Sequence, residues 1–167
     1  MADWDFMLAW NDLHIPGGPR LRLVASPAAV LAIDFHFTRA VEGDPAPNNP
    51  ILAEVARQLV AYFEGKLRVF ELPLDPQGTE FQKRVWRHLE GIPFGETRSY
   101  RQVAEAIGAS PAVRAVGAAN GANPIPIVIP CHRVIGANGK LTGYGGGLPL
   151  KKQLLELEGA WSGSMGW

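Results

Sequence analysis

The sequence predicts an α+β protein in two parts, a small unit of strands and a helix followed by a mostly helical unit. Three observations predict it. Between Val30 and Thr38, Ile33, Phe35 and Phe37 alternate with Asp34 and His36, the two-residue period of a half-buried strand. From Ile51 to Gly65, Leu52, Val55, Leu59 and Phe63 recur at helical spacing. After Leu74-Asp-Pro-Gln-Gly78, a linker by composition, the texture changes and the pattern is helical. The expected domains are 1–75 and 79–160, with 161–167 as a tail.

In the first part, Leu21–Ala25, Val30–Thr38 and Arg68–Leu72 read as strands. Asp44-Pro-Ala-Pro-Asn-Asn-Pro50 is a loop, and Gly65 is the expected stop of the helix that follows it. The first part carries no recognisable chemistry, and a scaffolding role is assigned to it. In the second part, Thr79 can cap a helix from Glu80 to Leu89 with Phe81, Val85, Trp86 and Leu89 on one side. Ile92-Pro-Phe-Gly-Glu96 interrupts it. A short helix then begins near Ser99 and ends at Gly108. Ser110 as N-cap and Pro111 in the first turn start another, which ends near Asn120 or Gly121. A last helix begins near Pro149, buries Leu150, Leu154, Leu155 and Leu157 in part, and ends at Gly159.

Composition excludes several classes. An apolar fraction of 47% is that of a globular protein with a core. Lys+Arg and Asp+Glu are equal at 16 each, so global charge gives no hint of a polyanionic partner. A single cysteine, Cys131, forms no internal disulfide and no multi-cysteine metal site, and it argues for a reducing compartment. Met1-Ala-Asp-Trp-Asp-Phe6 lacks the basic start and apolar run of a secretion signal, and no stretch approaches the ~20 apolar residues of a membrane helix. A cytoplasmic location is expected.

Two short helices joined by a tight turn match the plan of a DNA-reading helix-turn-helix, and equally a plain pair of packed helices. The second holds Ala112, Ala115, Ala118 and Ala119 with Gly117 inside, and Arg114 is its one charge. It is poor in side chains that read base edges, so it suits sequence-independent contact, in the minor groove, with phosphates met by backbone N–H groups. Between Asn123 and Val134, Pro124, Pro126 and Pro130 predict a stiff, extended strap that delivers Cys131 to a defined place. A thiol becomes a nucleophile where an imidazolium, a helix N-terminus or hydrogen bonds favour its thiolate. His132 is adjacent, but neighbours in an extended segment point apart, so contact needs a turn or a bridging water. Asn138-Gly139 is a two-residue hairpin signal. Tyr144 lies among Gly143, Gly145, Gly146 and Gly147, a loop that lets a flat ligand approach the backbone; the phosphate-cradling G-x-x-x-x-G-K-S/T pattern is absent.

Ile129-Pro-Cys-His-Arg-Val134, preceded by Arg114-Ala-Val-Gly117 and Asn123-Pro124 and followed by Gly143-Tyr-Gly-Gly-Gly147, resembles the O6-alkylguanine-DNA alkyltransferases. The resemblance covers roughly residues 79–159 closely and the upstream part more loosely. It implies a ribonuclease-H-like first domain and a second domain that flips O6-alkylguanine, and also O4-alkylthymine, out of duplex DNA. The alkyl group passes irreversibly to Cys131, once per molecule. It further implies that His132 takes the thiol proton through a water, that Glu158 orients His132, and that Asn123 braces the loop. Tyr100 would stand near the flipped base and help neutralise the departing guanine. Val134 and the glycine loop would bond base edges, and Tyr144 would line the pocket. Gly146 matches a small pocket residue associated with bulky alkyl groups, and Gly145 stands where some relatives carry a hydroxyl. Arg114 would enter the base stack in place of the extruded nucleotide, with Tyr100, Ala112 and Ala115 also at the DNA. The partner implied is double-stranded DNA carrying alkylated bases, bound without sequence preference by a monomer, cooperative on DNA if assembled. No cofactor and no metal are implied; some relatives hold a zinc in the first part, which without cysteines before Cys131 is excluded here as a cysteine site. No methyl-phosphotriester domain with its cysteine cluster is seen, so the stand-alone form is expected. The alternatives are a lesion-binding relative without repair, a Cys–His hydrolase that turns over, and a sequence-reading regulator.

Overall fold

The computed structural model describes residues 7–161 and divides the chain into two compact units, Met1–Gln77 and Gly78–Trp167. Among the described residues of the first unit, β1 (Ala9–His14), β2 (Arg20–Ala25) and β3 (Val30–Asp34) form an antiparallel sheet in chain order. Helix α1 (Pro50–Phe63) packs on all three strands. Asn49 caps it by accepting from the N–H groups of Ile51 and Leu52. At its far end Gly65, with φ +74°, lets Gly65 N donate to Tyr62 O and Lys66 N to Ala61 O, a Schellman stop. Leu21, Leu23, Leu31, Leu52, Leu59 and Tyr62 are fully buried and make the core.

Three differences from the sequence reading have physical causes. Strand β1 is an added element: its burial runs half-exposed with no clean alternation, so its pattern is weak, and pairing with β2 makes it a strand. Arg68–Leu72 is not a strand. Its backbone is held at Glu71 by the buried side chain of Gln58, which donates to Glu71 O at 3.0 Å and accepts from Glu71 N at 2.9 Å; only Leu74 bridges to Val30. Strand β3 ends at Asp34 rather than Thr38. The Asp34 carboxylate accepts from His36 N, Thr38 Oγ1 and Arg39 N, and Phe37 turns at φ 55°.

The second unit holds α2 (Glu80–Glu90), β4 (Arg98–Ser99), α3 (Tyr100–Ala106), α4 (Val113–Gly121), β5 (Val134–Ile135) and α5 (Leu148–Leu157). Thr79 with Gln82, and Ser99 with Gln102, form reciprocal capping boxes on α2 and α3. Helix α4 begins differently from expectation. Ser110–Ala112 is a 3-10 turn that runs into α4, and no side chain caps either start. The Trp86 indole of α2, 1% exposed, donates to Ala119 O of α4 at 2.8 Å and ties the two helices together. A Cβ on Gly78 would meet the Trp86 ring at 2.5 Å, so the start of the unit requires a glycine there. β4 and β5 pair in parallel, Arg98 beside Val134 and Ser99 beside Ile135. This sets the first residue of α3 beside the segment that follows Cys131. Gly136 N bonds Lys140 O and Gly139 has φ +77°, so the Asn138–Gly139 turn forms, although β5 pairs with β4 rather than across that turn. Ile135, Leu141, Leu155 and Trp161 cluster with Leu148 and Ala160; Trp161 packs back on the unit, and Trp167 lies outside the described residues.

Candidate active site

The strap expected between Asn123 and Val134 is a tight turn instead. Ile129 N donates to Ile125 O at 2.9 Å, Pro126 bridges to Ile129, and buried Ile127 takes φ +73°. A β-branched residue in the left-handed region is rare and costs roughly 1–3 kcal/mol. Proline fixes φ but leaves ψ free, which is why a proline-rich run can fold back on itself. The turn is laced by Asn123, whose Oδ1 accepts from Ile125 N at 3.0 Å and whose Nδ2 donates to Ile129 O at 2.8 Å. Cys131, His132 and Arg133 follow as a 3-10 turn, so the cysteine and histidine are not splayed along an extended chain.

Cys131 is 5% exposed. Burial pushes its thiol up to about 11 against the opposing pull of the Asn123 side chain, the Lys151 ammonium and the backbone N–H groups of Cys131 and His132. The thiol form is therefore favoured in this site, and a reaction through the thiolate would call for a base to take its proton. His132 is completely buried, and its Nε2 lies 2.7 Å from Glu158 Oε1. Burial, the larger effect, and the neighbouring cations Arg133 and Lys151 lower its basicity; Glu158 opposes them. Glu158 is held down to about 2: burial would raise it, and the hydrogen bonds and charges of His132 and Arg133 outweigh burial. An ionised Glu158 only accepts, so the neutral imidazole places its N–H on Nε2 and leaves a lone pair on Nδ1. That Nδ1 is buried with no hydrogen-bond partner among the described residues. Its lone pair is available to accept a hydrogen bond.

Arg133, 6% exposed, was passed over in the sequence reading. Its Nε and Nη2 donate to Glu158 Oε2 and Oε1, both at 2.9 Å, and its Nη1 donates to Ile92 O at 2.6 Å. It keeps Glu158 ionised and in place. The signal was present, since Arg133 adjoins His132 in the same run. Lys151 was missed as well; it shares a helical stripe with Leu154, Leu155 and Glu158 on α5, at spacings of three, four and seven. Asn120, buried at the end of α4, donates Nδ2 to Cys131 O at 3.3 Å.

The structure thus gathers Cys131, His132, Glu158, Asn123 and Val134 around one short segment. Tyr100 opens α3 with its hydroxyl 2.8 Å from Thr142 Oγ1; burial raises its pKa, the Thr142 hydroxyl lowers it, and Cys131 adds a smaller upward push. Tyr144, Gly145 and Gly146 sit in the loop before α5, half-buried, exposed and half-buried. Arg114 and Ala115 lie exposed on α4, and Ala112 is half-buried in the 3-10 turn. Arg114 is not among the residues bonded around Cys131. Among the described residues, no three of His, Cys, Asp and Glu cluster as metal ligands, and no helix is long and apolar enough to cross a membrane.

Charge is also divided in a way that the whole-chain sum hides. Residues 1–77 carry six Lys/Arg against ten Asp/Glu, a net −4, and residues 78–167 carry ten against six, a net +4. Reading the halves separately would have revealed a basic second unit.

A two-unit α+β chain with one buried thiol, a buried histidine–carboxylate pair next to it in the chain and a basic helical half has the arrangement expected of a thiol nucleophile. Comparison with known proteins gives the class its name. Residues 80–160 match the 6-O-methylguanine DNA methyltransferase DNA binding domain, and residues 20–76 match the ribonuclease-like domain of the same family. A methylated-DNA–protein-cysteine methyltransferase from Methanosarcina barkeri is 57% identical over 152 residues, 89% of this chain and 96% of the relative. One from Mycolicibacterium paratuberculosis is 63% identical over 111 residues, 66% of this chain and 67% of the relative. The crystal structure of Mycobacterium tuberculosis OGT in complex with DNA superposes with a TM-score of 0.84 at 46% identity, covering 90% of this chain and 92% of that one. The chain belongs to the 6-O-methylguanine DNA methyltransferase family.

Proposed function

We propose that this protein is a methylated-DNA–protein-cysteine methyltransferase that repairs DNA by moving the alkyl group of O6-alkylguanine onto Cys131. The observation that carries the reading is the protonated, buried Cys131 beside His132, whose Nδ1 lacks a partner while Glu158 and Arg133 hold its other side. His132 draws the thiol proton at Nδ1 through a bridging water. The thiolate sulfur attacks the alkyl carbon in line; an S–C bond forms as the C–O bond to guanine breaks. His132 then gives that proton up again, and it passes by way of Tyr100 to the departing base, which leaves as neutral guanine with the imidazole and the tyrosine both restored. The thioether has no group that could cleave it, so each molecule reacts once. No step calls for a cofactor.

Double-stranded DNA is the partner. A relative has been crystallised with DNA, and the +4 second unit presents α4 with Arg114 exposed. A base inside the duplex is out of reach of a buried thiol, so the lesion, O6-alkylguanine and also O4-alkylthymine, is flipped out. Helix α4, with small residues and one arginine, suits the minor groove without sequence preference, Ala112, Ala115 and Tyr100 lying along the contact. Arg114 fills the gap in the stack. Tyr144, Gly145, Gly146 and the Val134 backbone hold the base. The first unit is a scaffold, the second carries binding and transfer, and the protein works as a monomer in the cytoplasm, with assembly on DNA where several bind. The test is intact-protein mass spectrometry after incubation with an O6-methylguanine duplex, with Cys131→Ser beside it. A gain of one methyl group, in the natural sequence alone and never a second, is expected. No gain while the lesion DNA stays bound overturns the reading in favour of lesion sensing.

A further inference from the structure

Lys151 is completely buried, yet among the described residues no carboxylate lies within ion-pair distance of it. Its ammonium donates to Val134 O at 2.6 Å and to Thr142 O at 3.1 Å. Burying an ammonium costs several kcal/mol unless hydrogen bonds and a counter-charge offset it. Two carbonyls use two of its three donors and supply no negative charge. A lysine kept at that cost with no carboxylate asks for another anion. Burial holds the ammonium down to about 8, against an opposing pull from the Cys131 side chain that reaches full strength only once the thiolate forms, and the neighbouring His132 feels the ammonium as a like charge.

The placement on α5 is specific. Lys151 and Glu158 stand seven residues apart, about 10 Å along a helix and on one face. Glu158 takes His132 and Arg133, and Lys151 takes the carbonyl of Val134. One helix therefore grips the four-residue segment Cys131–Val134 with an anion at one place and a cation at another. Thr142, the second carbonyl that Lys151 holds, bonds the Tyr100 hydroxyl through its own hydroxyl. Lys151 thus links the nucleophile's segment to the tyrosine that faces the departing base.

We propose that Lys151 is a positioning residue for alkyl transfer, clamping Val134 and Thr142 so that Cys131 and Tyr100 keep their relative placement, and supplying the cation that favours the thiolate as it forms. This rests on the transfer reaction proposed above. The experiment compares the natural sequence with Lys151→Met, which removes donors and charge, and Lys151→Gln, which keeps donors and removes charge. Three quantities are read: single-turnover methyl transfer at saturating O6-methylguanine duplex, duplex affinity, and the pH profile of Cys131 alkylation by iodoacetamide. Thermal melting follows folding. Both variants are expected to slow transfer by roughly tenfold to a hundredfold, the scale of a misplaced reacting group, Met more than Gln. Duplex affinity should stay within about twofold, because a completely buried ammonium does not reach phosphate. The midpoint of thiol alkylation should rise by roughly one pH unit in both. If Met fails to fold, Gln alone decides. Transfer at the natural rate with an unmoved thiol profile overturns the proposal. So does an equal loss of duplex affinity and transfer with an unmoved profile, which makes Lys151 a structural residue. Absence of transfer in the natural sequence overturns the function instead and leaves the thiol profile to judge Lys151 separately.

Discussion

Glu54 on α1 of the first unit and Glu158 at the end of α5 in the second are both held down to about 2, each with an arginine fork against it. Their settings are opposite. The Glu54 side chain is 42% exposed beside Arg57, three residues away on the same helix, and water and salt screen the pair. Glu158 has no exposed side-chain surface, and its partners come from a segment about 25 residues away in sequence. The contrast extends to the units. Among the described residues, the buried polar side chains of the first are Ser26 and Gln58, both neutral. Those of the second include His132, Arg133, Lys151 and Glu158. A depressed pKa by itself says little; a depressed pKa inside a buried network marks where a protein has accepted a cost for chemistry.

Removing Glu158 should have the largest effect. Glu158→Gln leaves the Arg133 cation buried without its counter-charge, a loss of about 3–5 kcal/mol by urea unfolding, and transfer should fall with it because His132 loses its orienting group. An unfolding midpoint like that of the natural sequence would mean that the network is far less buried than it is here. Acid should reveal the same network without mutation. The folded pKa values of His132 and Glu158 both lie below their unfolded ones. Their contribution is complete above about pH 6.5 and is lost as pH falls, first through His132 and then between about 4.5 and 2 through Glu158, for a total of a few kcal/mol. A flat stability profile from pH 7 to pH 3 would contradict it.

Next in size, Trp86→Phe removes the indole donor from Ala119 O, which keeps the Ala122 N–H at 3.2 Å, and should cost about 0.5–1.5 kcal/mol. If the α2–α4 bond holds α4 in place for the proposed duplex contact, duplex affinity falls as well. The smallest effect is expected at Glu54. Glu54→Gln should leave the thermal midpoint unchanged within error in physiological salt, and a clear drop would erase the distinction between the two carboxylates.

Much of this was legible in the chain. Helix α1, the capped start of α2, the start of α3 near Ser99, and the run around Cys131 depend on neighbours a few residues apart, and short-range periods and caps record such neighbours. The residues that escaped notice are those whose partners are distant. Strand β1 exists because β2 pairs with it. Arg68–Leu72 reads as a strand until the Gln58 side chain takes its backbone. The prolines before Cys131 suggested an extended strap because they fix φ; the reversal at Ile127 needed the lacing by Asn123 and the packed core around it. Lys151 belongs to an apolar stripe, yet nothing near it in sequence says that a buried ammonium would meet Val134 and Thr142.

By itself the sequence determined the helices, the Thr79 cap of α2, the single thiol with its histidine neighbour, and the family likeness, because each is encoded within a few consecutive residues. Only the tertiary structure decided that His132 offers Nδ1, that Arg133 holds Glu158 ionised, and that Lys151 grips the carbonyls of Val134 and Thr142. Those facts depend on which groups lose water together, and a linear chain does not contain that until it has folded.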